Sequence, residues 1–270
     1  MKNGDQKVGR KKFGSTNESV SAIGLGTWGI KSYENAARAF EYAFERGINF
    51  IDTAEIYNTE DFVGRVISEL GRDNLFITTK IWPKNLVTRE RTLKAARSSL
   101  KKLGIKAADL ILIHWPNNEM KIEDQVRNIE AVYSEGLSRY IGVSNFSVEQ
   151  METARQSTRS TEIVCDQVKY NVSTKEAEKN ILPYCKKNDM AVVAYTPIEN
   201  GNVSGNKILK KVGEKYGKTP VQVSLKYLMR EENVIPIPKT ESLEHVKEII
   251  GAWGWSMEEE DYNNIRTSDI

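Results

Sequence analysis

Four side chains in the first half of the chain could together protonate a carbonyl oxygen while hydride reaches its carbon: Asp52, Tyr57, Lys80 and His114. A phenol titrates near ~10 and is a slow acid at neutral pH unless a neighbouring cation stabilises its phenolate. Lys80 is the candidate cation. Two charges ~4 Å apart at an effective dielectric of ~20 interact by about 4 kcal/mol, an upper figure worth roughly three pKa units. On this reading Asp52 keeps Lys80 protonated and oriented, and His114 hydrogen-bonds the carbonyl oxygen and sets its direction. Taken singly, each has an ordinary explanation. Asp52 can be a helix cap, Tyr57 an amphipathic surface residue, Lys80 a solvated charge and His114 a satisfied core histidine. Their meaning depends on whether the fold brings them together.

The positioning elements can be read from hydrophobic pattern. Eight short runs rich in Val, Ile and Phe recur at 23–27, 49–52, 75–80, 110–114, 140–143, 163–168, 191–195 and 234–237, each reading as a buried strand. Between most of them lies a helical pattern. Ala36, Ala39, Phe40, Ala43 and Phe44 mark the first helix, with Gly47 as its stop. Further helices are expected over 88–103, 122–134, 147–156, 175–187, 220–230 and 243–250. Parallel neighbours need crossover helices and eight strands can close, so the order predicts one α/β domain over 1–270, a parallel (β/α)8 TIM barrel. The stretches 11–13 and 20–23, flanking Gly14, Ser15 and Asn17, suggest an N-terminal β-hairpin plugging the barrel bottom. The Gly- and Asn-rich loop 199–206 is a candidate mobile loop over a site. Asp52, Lys80 and His114 then end three successive strands, at the face where barrels of this kind place their active sites.

These residues sit in segments that resemble the aldo-keto reductase family from about residue 13 to 250. The matching segments are GLGTW at 24–28, NFIDTAEIY at 49–57, VGR at 63–65, TKIW at 79–82, IHW at 113–115 and IGVSNF at 141–146. The resemblance implies a (β/α)8 barrel, NADPH bound in extended form, and a catalytic tetrad on Asp52, Tyr57, Lys80 and His114. It places cofactor contacts on Gly26, Thr27, Trp28 and Asp52, on Ser144 and Asn145 for the nicotinamide amide, on Gln167, and on Tyr195 as a stacking face. Trp28, Trp82 and Trp115 suit the walls of a pocket for an apolar substrate body, with Tyr57 and His114 meeting its carbonyl. The segment IPKTESLEHV at 237–246 is similar to the family stretch that grips the adenosine 2′-phosphate. Lys239 and Thr240 would serve as its cation and hydroxyl donor. Two positions depart from the common pattern: His245 stands where many members have arginine, and Ile249 where many have asparagine. A neutral imidazole holds phosphate less firmly than a guanidinium, so some NADH use is expected alongside NADPH.

Other readings compete. Residues 24–29 spell G-x-G-x-x-G after a strand, which alone is a weak dinucleotide fingerprint. The bulky Thr27 and Trp28 inside that turn, the count of eight strands and the late phosphate segment argue against a Rossmann fold. No Tyr precedes a Lys by four residues, as a short-chain dehydrogenase would need. A non-catalytic NADPH-binding sensor or regulatory subunit on the same barrel remains open, because fold does not fix function; the complete tetrad speaks for an enzyme. The net charge of +2, from 39 basic and 37 acidic residues without long blocks, gives no footprint for nucleic acid or an anionic membrane. No apolar run approaches the roughly 20 residues needed to span a bilayer, and the polar start over 1–12 lacks a signal-like apolar region, so a cytoplasmic location is expected. Two histidines and two cysteines, Cys165 and Cys185, form neither a disulfide scaffold nor a zinc-ligand pattern, so no metal is expected. The expected partner is a small-molecule carbonyl substrate.

Overall fold

The computed structural model describes residues 6–270; residues 1–5, part of the polar start, lie outside the described residues. Two short strands, β1 (Arg10–Lys12) and β2 (Ser19–Ser21), pair antiparallel with Lys11 opposite Val20. Among the described residues eight parallel strands follow: β3 (Leu25–Gly26), β4 (Phe50–Asp52), β5 (Phe76–Ile81), β6 (Ala108–Ile113), β7 (Ser138–Ser144), β8 (Ile163–Lys169), β9 (Ala191–Tyr195) and β10 (Val234–Pro236), each bonded to the next in chain order. The sheet closes on itself. Gly24 N donates to Pro236 O at 2.9 Å, Gly26 N donates to Pro238 O at 3.0 Å, and a parallel bridge joins Gly26 to Lys239. Every apolar run read as a strand is one, and the (β/α)8 barrel with its hairpin forms as expected.

The helices are α1 (Tyr33–Glu45), α2 (Glu60–Leu70), α3 (Arg89–Leu103), α4 (Ile122–Ser134), α5 (Val148–Ser157), α6 (Ile181–Lys187), α7 (Lys207–Tyr216), α8 (Pro220–Leu228), α9 (Leu243–Ile250) and α10 (Glu259–Thr267). In α1 the anticipated stripe of Ala36, Ala39, Phe40 and Ala43 is the buried face, and the chain turns away at Gly47, whose φ of 89° suits glycine. The helix expected over 175–187 is broken. A 3₁₀ turn at Glu176–Glu178 precedes α6, and Lys175 instead sends its ammonium to the carbonyls of Ile265, Arg266 and Ser268 at 2.7, 3.0 and 2.8 Å, fastening the end of α10. The Gly- and Asn-rich loop after β9 takes 3₁₀ turns over Glu199–Gly205, kinked at Asn200 and Gly201.

Inside the barrel, Phe13 from the hairpin packs on Phe50 and Phe76 with ring centroids 5.8 and 5.0 Å away, filling the bottom. Lys11 ties the same hairpin to the end of α8 and the start of β10 by donating to Met229 O, Glu231 O and Val234 O. With the bottom plugged, the open face is at the carboxyl ends of the strands.

Asp166 is a costly feature of this framework. It lies on β8, fully enclosed, and among the described residues no donor meets either carboxylate oxygen at good hydrogen-bond geometry, the backbone N–H groups of Phe146 and Asn145 being only near it. Burial pushes its carboxyl up to about 8, with the N–H groups of Phe146 and Asn145 pulling weakly the other way. In the unfolded chain an aspartate titrates near ~3.9. Between these values the folded state holds a proton that the unfolded state has released, so stability falls as pH rises from about 4 towards 8 and levels off above. Asp166→Asn removes that dependence. It is expected to gain on the natural protein by about 3.5 kcal/mol more at pH 8 than at pH 5, read from urea unfolding at both pH values. An equal difference at the two pH values would show that Asp166 is not a buried, proton-holding carboxyl.

Candidate active site

The four chemically suited residues converge because three successive parallel strands carry them to one rim. Asp52 ends β4, Lys80 is the fifth residue of β5, and His114 directly follows β6. Tyr57 closes a short 3₁₀ turn, Glu55–Tyr57, that follows β4; Asn58, with φ of 56°, then bends the chain into α2. The Lys80 side chain is fully buried, and its three N–H bonds have three acceptors: Asp52 Oδ1 at 2.6 Å, Thr53 O at 2.9 Å and Tyr57 Oη at 3.4 Å. On the other side of the phenol, His114 Nε2 lies 3.4 Å from the same oxygen. The phenol oxygen thus has an ammonium on one side and an imidazole on the other.

The electrostatics agree in part with the expectation from sequence. Burial acts to strip Lys80 of its charge, but Asp52 and Tyr57 outweigh it, so the ammonium is held above its usual range. Tyr57 is the correction. Burial raises its pKa, Lys80 lowers it and Asp52 raises it again, leaving the phenol above its ordinary value. The lysine pulls in the expected direction, but desolvation of a phenolate costs more than one shared cation returns. His114 is lowered to about 3 by burial and then by the Lys80 charge, so its ring is neutral across the working pH range. Its Nδ1 is buried without a partner. A buried N–H left unpaired costs more than an unpaired lone pair, which assigns the proton to Nε2. The pH profile of kcat/KM is therefore expected to carry no limb near pH ~6.5 from His114; such a limb, if lost in His114→Asn, would overturn the neutral assignment.

A second cluster of polar groups is joined to the first. Gln167 Nε2 donates to Asp52 Oδ2 at 2.8 Å, and Ser144 Oγ donates to Gln167 O at 2.8 Å. Asn145, held at φ of 63°, donates to Ser144 Oγ and to His114 O and accepts from Tyr195 Oη at 2.9 Å. Ser144, Asn145, Gln167 and Tyr195 come from the ends of β7, β8 and β9 and line the same cleft as Tyr57 and His114. That cleft, about 860 Å³, also takes in Gly26, Thr27, Trp28, Asp52, Trp82, Trp115, Lys239, Thr240 and His245. Every site residue expected from sequence except buried Lys80 lines it. Thr27 does so with its hydroxyl turned away, bonded to Asp52 O and Thr59 Oγ1, which leaves its backbone to face the cleft. Trp28 and Trp115 are 63% and 42% exposed, and with exposed Ile56 they form an apolar rim. Trp82 sits edge-on to His114, ring centroids 5.2 Å apart.

At the far end of the cleft Lys239 and Thr240 follow β10, and His245 is exposed in the first turn of α9. Ile249, on the same helix, is turned into the core and offers nothing to the cleft. Two carboxylates that sequence reasoning did not single out also shape the site. Glu55 Oε1 accepts from Trp82 N at 3.1 Å and Asn85 Nδ2 at 2.8 Å, stitching the turn that carries Tyr57 to the neighbouring loop after β5. Glu241 Oε1 accepts from Lys239 Nζ at 3.0 Å, and its other oxygen accepts from the N–H groups of Lys31 and Ser32. Among the described residues there is no group of three or more His, Cys, Asp or Glu able to hold a metal ion, and no helix is long and apolar enough to cross a membrane.

The chain is similar to known proteins in sequence and in fold. A model of the aldo/keto reductase family matches residues 22–270. The chain is 34% identical over 216 residues to the methylglyoxal reductase DkgB of Yersinia pestis, covering 78% of this chain and 79% of that protein. Among solved structures, the thermostable aldo-keto reductase Tm1743 in complex with the inhibitor epalrestat superposes with a TM-score of 0.90 at 35% identity, covering 96% of this chain and 98% of the other. An aldo-keto reductase from Klebsiella pneumoniae in complex with NADPH superposes with a TM-score of 0.88 at 27% identity, covering 96% and 94%.

Proposed function

The chain belongs to the aldo/keto reductase family, and from that premise we propose that it reduces aldehydes or ketones to alcohols with NADPH, Tyr57 donating the proton. The observation that carries the reading is the placement of the Tyr57 oxygen 3.4 Å from both Lys80 Nζ and His114 Nε2 inside an apolar-rimmed cleft. A substrate carbonyl oxygen accepting from Tyr57 Oη and His114 Nε2–H would be fixed by two donors, one of which can give up its proton. As negative charge reaches the phenol, the Lys80 ammonium is already in place to stabilise it, held there by Asp52. Preorganisation of this kind costs no rearrangement at the moment of reaction.

The donor set fits a nicotinamide dinucleotide. A carboxamide needs one donor and one acceptor partner, and Ser144, Asn145 and Gln167 offer both at the floor of the cleft. Tyr195, half buried with its hydroxyl tethered to Asn145, offers a fixed ring face for stacking. Gly26, Thr27 and Trp28 would border the cofactor, and Lys239, Thr240 and His245 would meet its adenosine end. NADPH, when bound, supplies the hydride. Trp28, Trp82 and Trp115 would wall the substrate, and the open apolar rim suits small or flat carbonyl compounds, a class to which methylglyoxal, named for a relative, belongs. We also read residues 1–270 as a single cytoplasmic domain, with two buried free cysteines and an even charge distribution in support.

A sensor that binds NADPH without turnover is the rival, and the intact tetrad disfavours it. The test is loss of NADPH absorbance on adding methylglyoxal or an aromatic aldehyde. Quenching of tryptophan fluorescence by NADPH with no consumption by any of a panel of carbonyls would favour the sensor.

A further inference from the structure

Lys239 is the one lysine or arginine lining the cleft among the described residues, and it is already paired. Glu241, two residues on, accepts from its Nζ at 3.0 Å with one oxygen. The other oxygen takes the backbone N–H groups of Ser32 at 2.6 Å and Lys31 at 3.1 Å, just before α1. With three donors fixing it, this carboxylate cannot easily swing aside. The Ser32 N–H, followed by burial acting the other way and then the Lys239 contact, holds it below the usual carboxylate range, so it is charged at neutral pH. The lining of this end of the cleft is therefore Lys239, Glu241, Thr240, Ser242 and His245, one cation against one anion and an exposed histidine.

Resting on the reading of this cleft as a dinucleotide site, we propose that Glu241 sets cofactor specificity by opposing the 2′-phosphate, narrowing the preference for NADPH over NADH. An arriving phosphate must share Lys239 with a carboxylate that stays in place, and the two anions repel. NADH has only hydroxyl groups there, which a carboxylate can accept from. Glu241 thus penalises the phosphorylated cofactor and is neutral or favourable to the other. This is distinct from a weak grip by His245, which would lower NADPH affinity without favouring NADH.

The experiment measures dissociation constants of NADPH, NADH, adenosine 2′,5′-bisphosphate and AMP by tryptophan fluorescence and calorimetry, for the natural protein, Glu241→Gln and Lys239→Ala. Glutamine keeps an oxygen for Ser32 N–H, so the tie to the start of α1 survives while the charge goes. Glu241→Gln is expected to tighten NADPH and the bisphosphate on the order of tenfold relative to NADH and AMP, the scale of one partly screened charge contact. Lys239→Ala is expected to weaken the phosphorylated pair more than the other pair. If Glu241→Gln changes all four ligands by the same factor, Glu241 is only a structural tie and the proposal is overturned. No change in any ligand overturns it equally. If the natural protein binds neither dinucleotide, the reading of the cleft fails and this proposal with it, an outcome separable from both others.

Discussion

Tyr57→Phe is expected to leave the fold and cofactor affinity intact while lowering kcat for carbonyl reduction by at least about a hundredfold, or some 2.7 kcal/mol of transition-state stabilisation. The substitution removes one oxygen and little packing. The ring still lies edge-on to His114 at 5.5 Å between centroids and under the Lys80 ammonium at 4.7 Å. The hydroxyl's two contacts are long at 3.4 Å, so their loss costs little stability. What disappears is the proton source, and His114 does not replace it: its ring is neutral, and its Nε2–H is far too weak an acid to be a donor in the same sense. Dissociation constants for NADPH measured beside single-turnover rates would separate binding from chemistry. Near-normal turnover in Tyr57→Phe would sink the assignment of the acid.

The strands were legible because both faces of a parallel barrel strand are buried, which leaves uninterrupted apolar runs such as 110–113 and 191–194. The helices were less evenly legible: α5 could be read although it buries only Met151 and Ala154, while α2, α7 and α10 were missed. In α2, Gly64 interrupts the pattern in mid-helix, and its reason is tertiary: a Cβ there would come within 2.5 Å of Lys102 O, so α2 and the end of α3 meet at backbone distance. α10 is rich in acidic residues and buries only Tyr262 and Ile265. The break at 175–187 follows from Lys175 serving the carbonyls at the end of α10, a contact spanning some ninety residues that no local pattern encodes.

The site was legible in its residue types, less so in its couplings. Asp52, Lys80 and His114 could be placed at strand ends by counting, the matching segment at 141–146 supplied Ser144 and Asn145, and the family resemblance supplied Gln167. That Gln167 bonds Asp52, so that the floor of the cleft and the tetrad share one carboxylate, follows only from the strands closing into a ring that sets β8 across from β4. Glu241 was passed over because Lys239 and Thr240 fully explained their segment. Its importance comes from Ser32, two hundred residues earlier in the chain. The sign of the Tyr57 shift was missed for a related reason: charge partners can be guessed from sequence, whereas the depth of burial that opposes them cannot.

Lys80 and Asp52 give the sharper test, because the double variant should regain stability without regaining activity. Lys80→Met removes the cation that meets the developing phenolate, and a loss on the order of 10³-fold or more is expected. Any activity left should fall only at more alkaline pH, since burial and Asp52 then act on Tyr57 unopposed. The same change strands Asp52 in the core without its ion-pair partner, which should cost about 3 kcal/mol or more of stability or force the carboxyl to take a proton. Asp52→Asn is milder in activity. It keeps an oxygen for Lys80 and leaves the ammonium bonded to Thr53 O, so the cation stays near Tyr57, less firmly aimed. The double variant should then be more stable than Lys80→Met, having no stranded carboxylate, yet no more active. Its loss of kcat/KM should be close to that of Lys80→Met alone, as for groups that work through one another. Fully additive losses, measured with one aldehyde at saturating NADPH, would mean that Asp52 does not act through Lys80. A double variant that regained activity along with stability would mean that Lys80 serves the fold rather than the proton transfer.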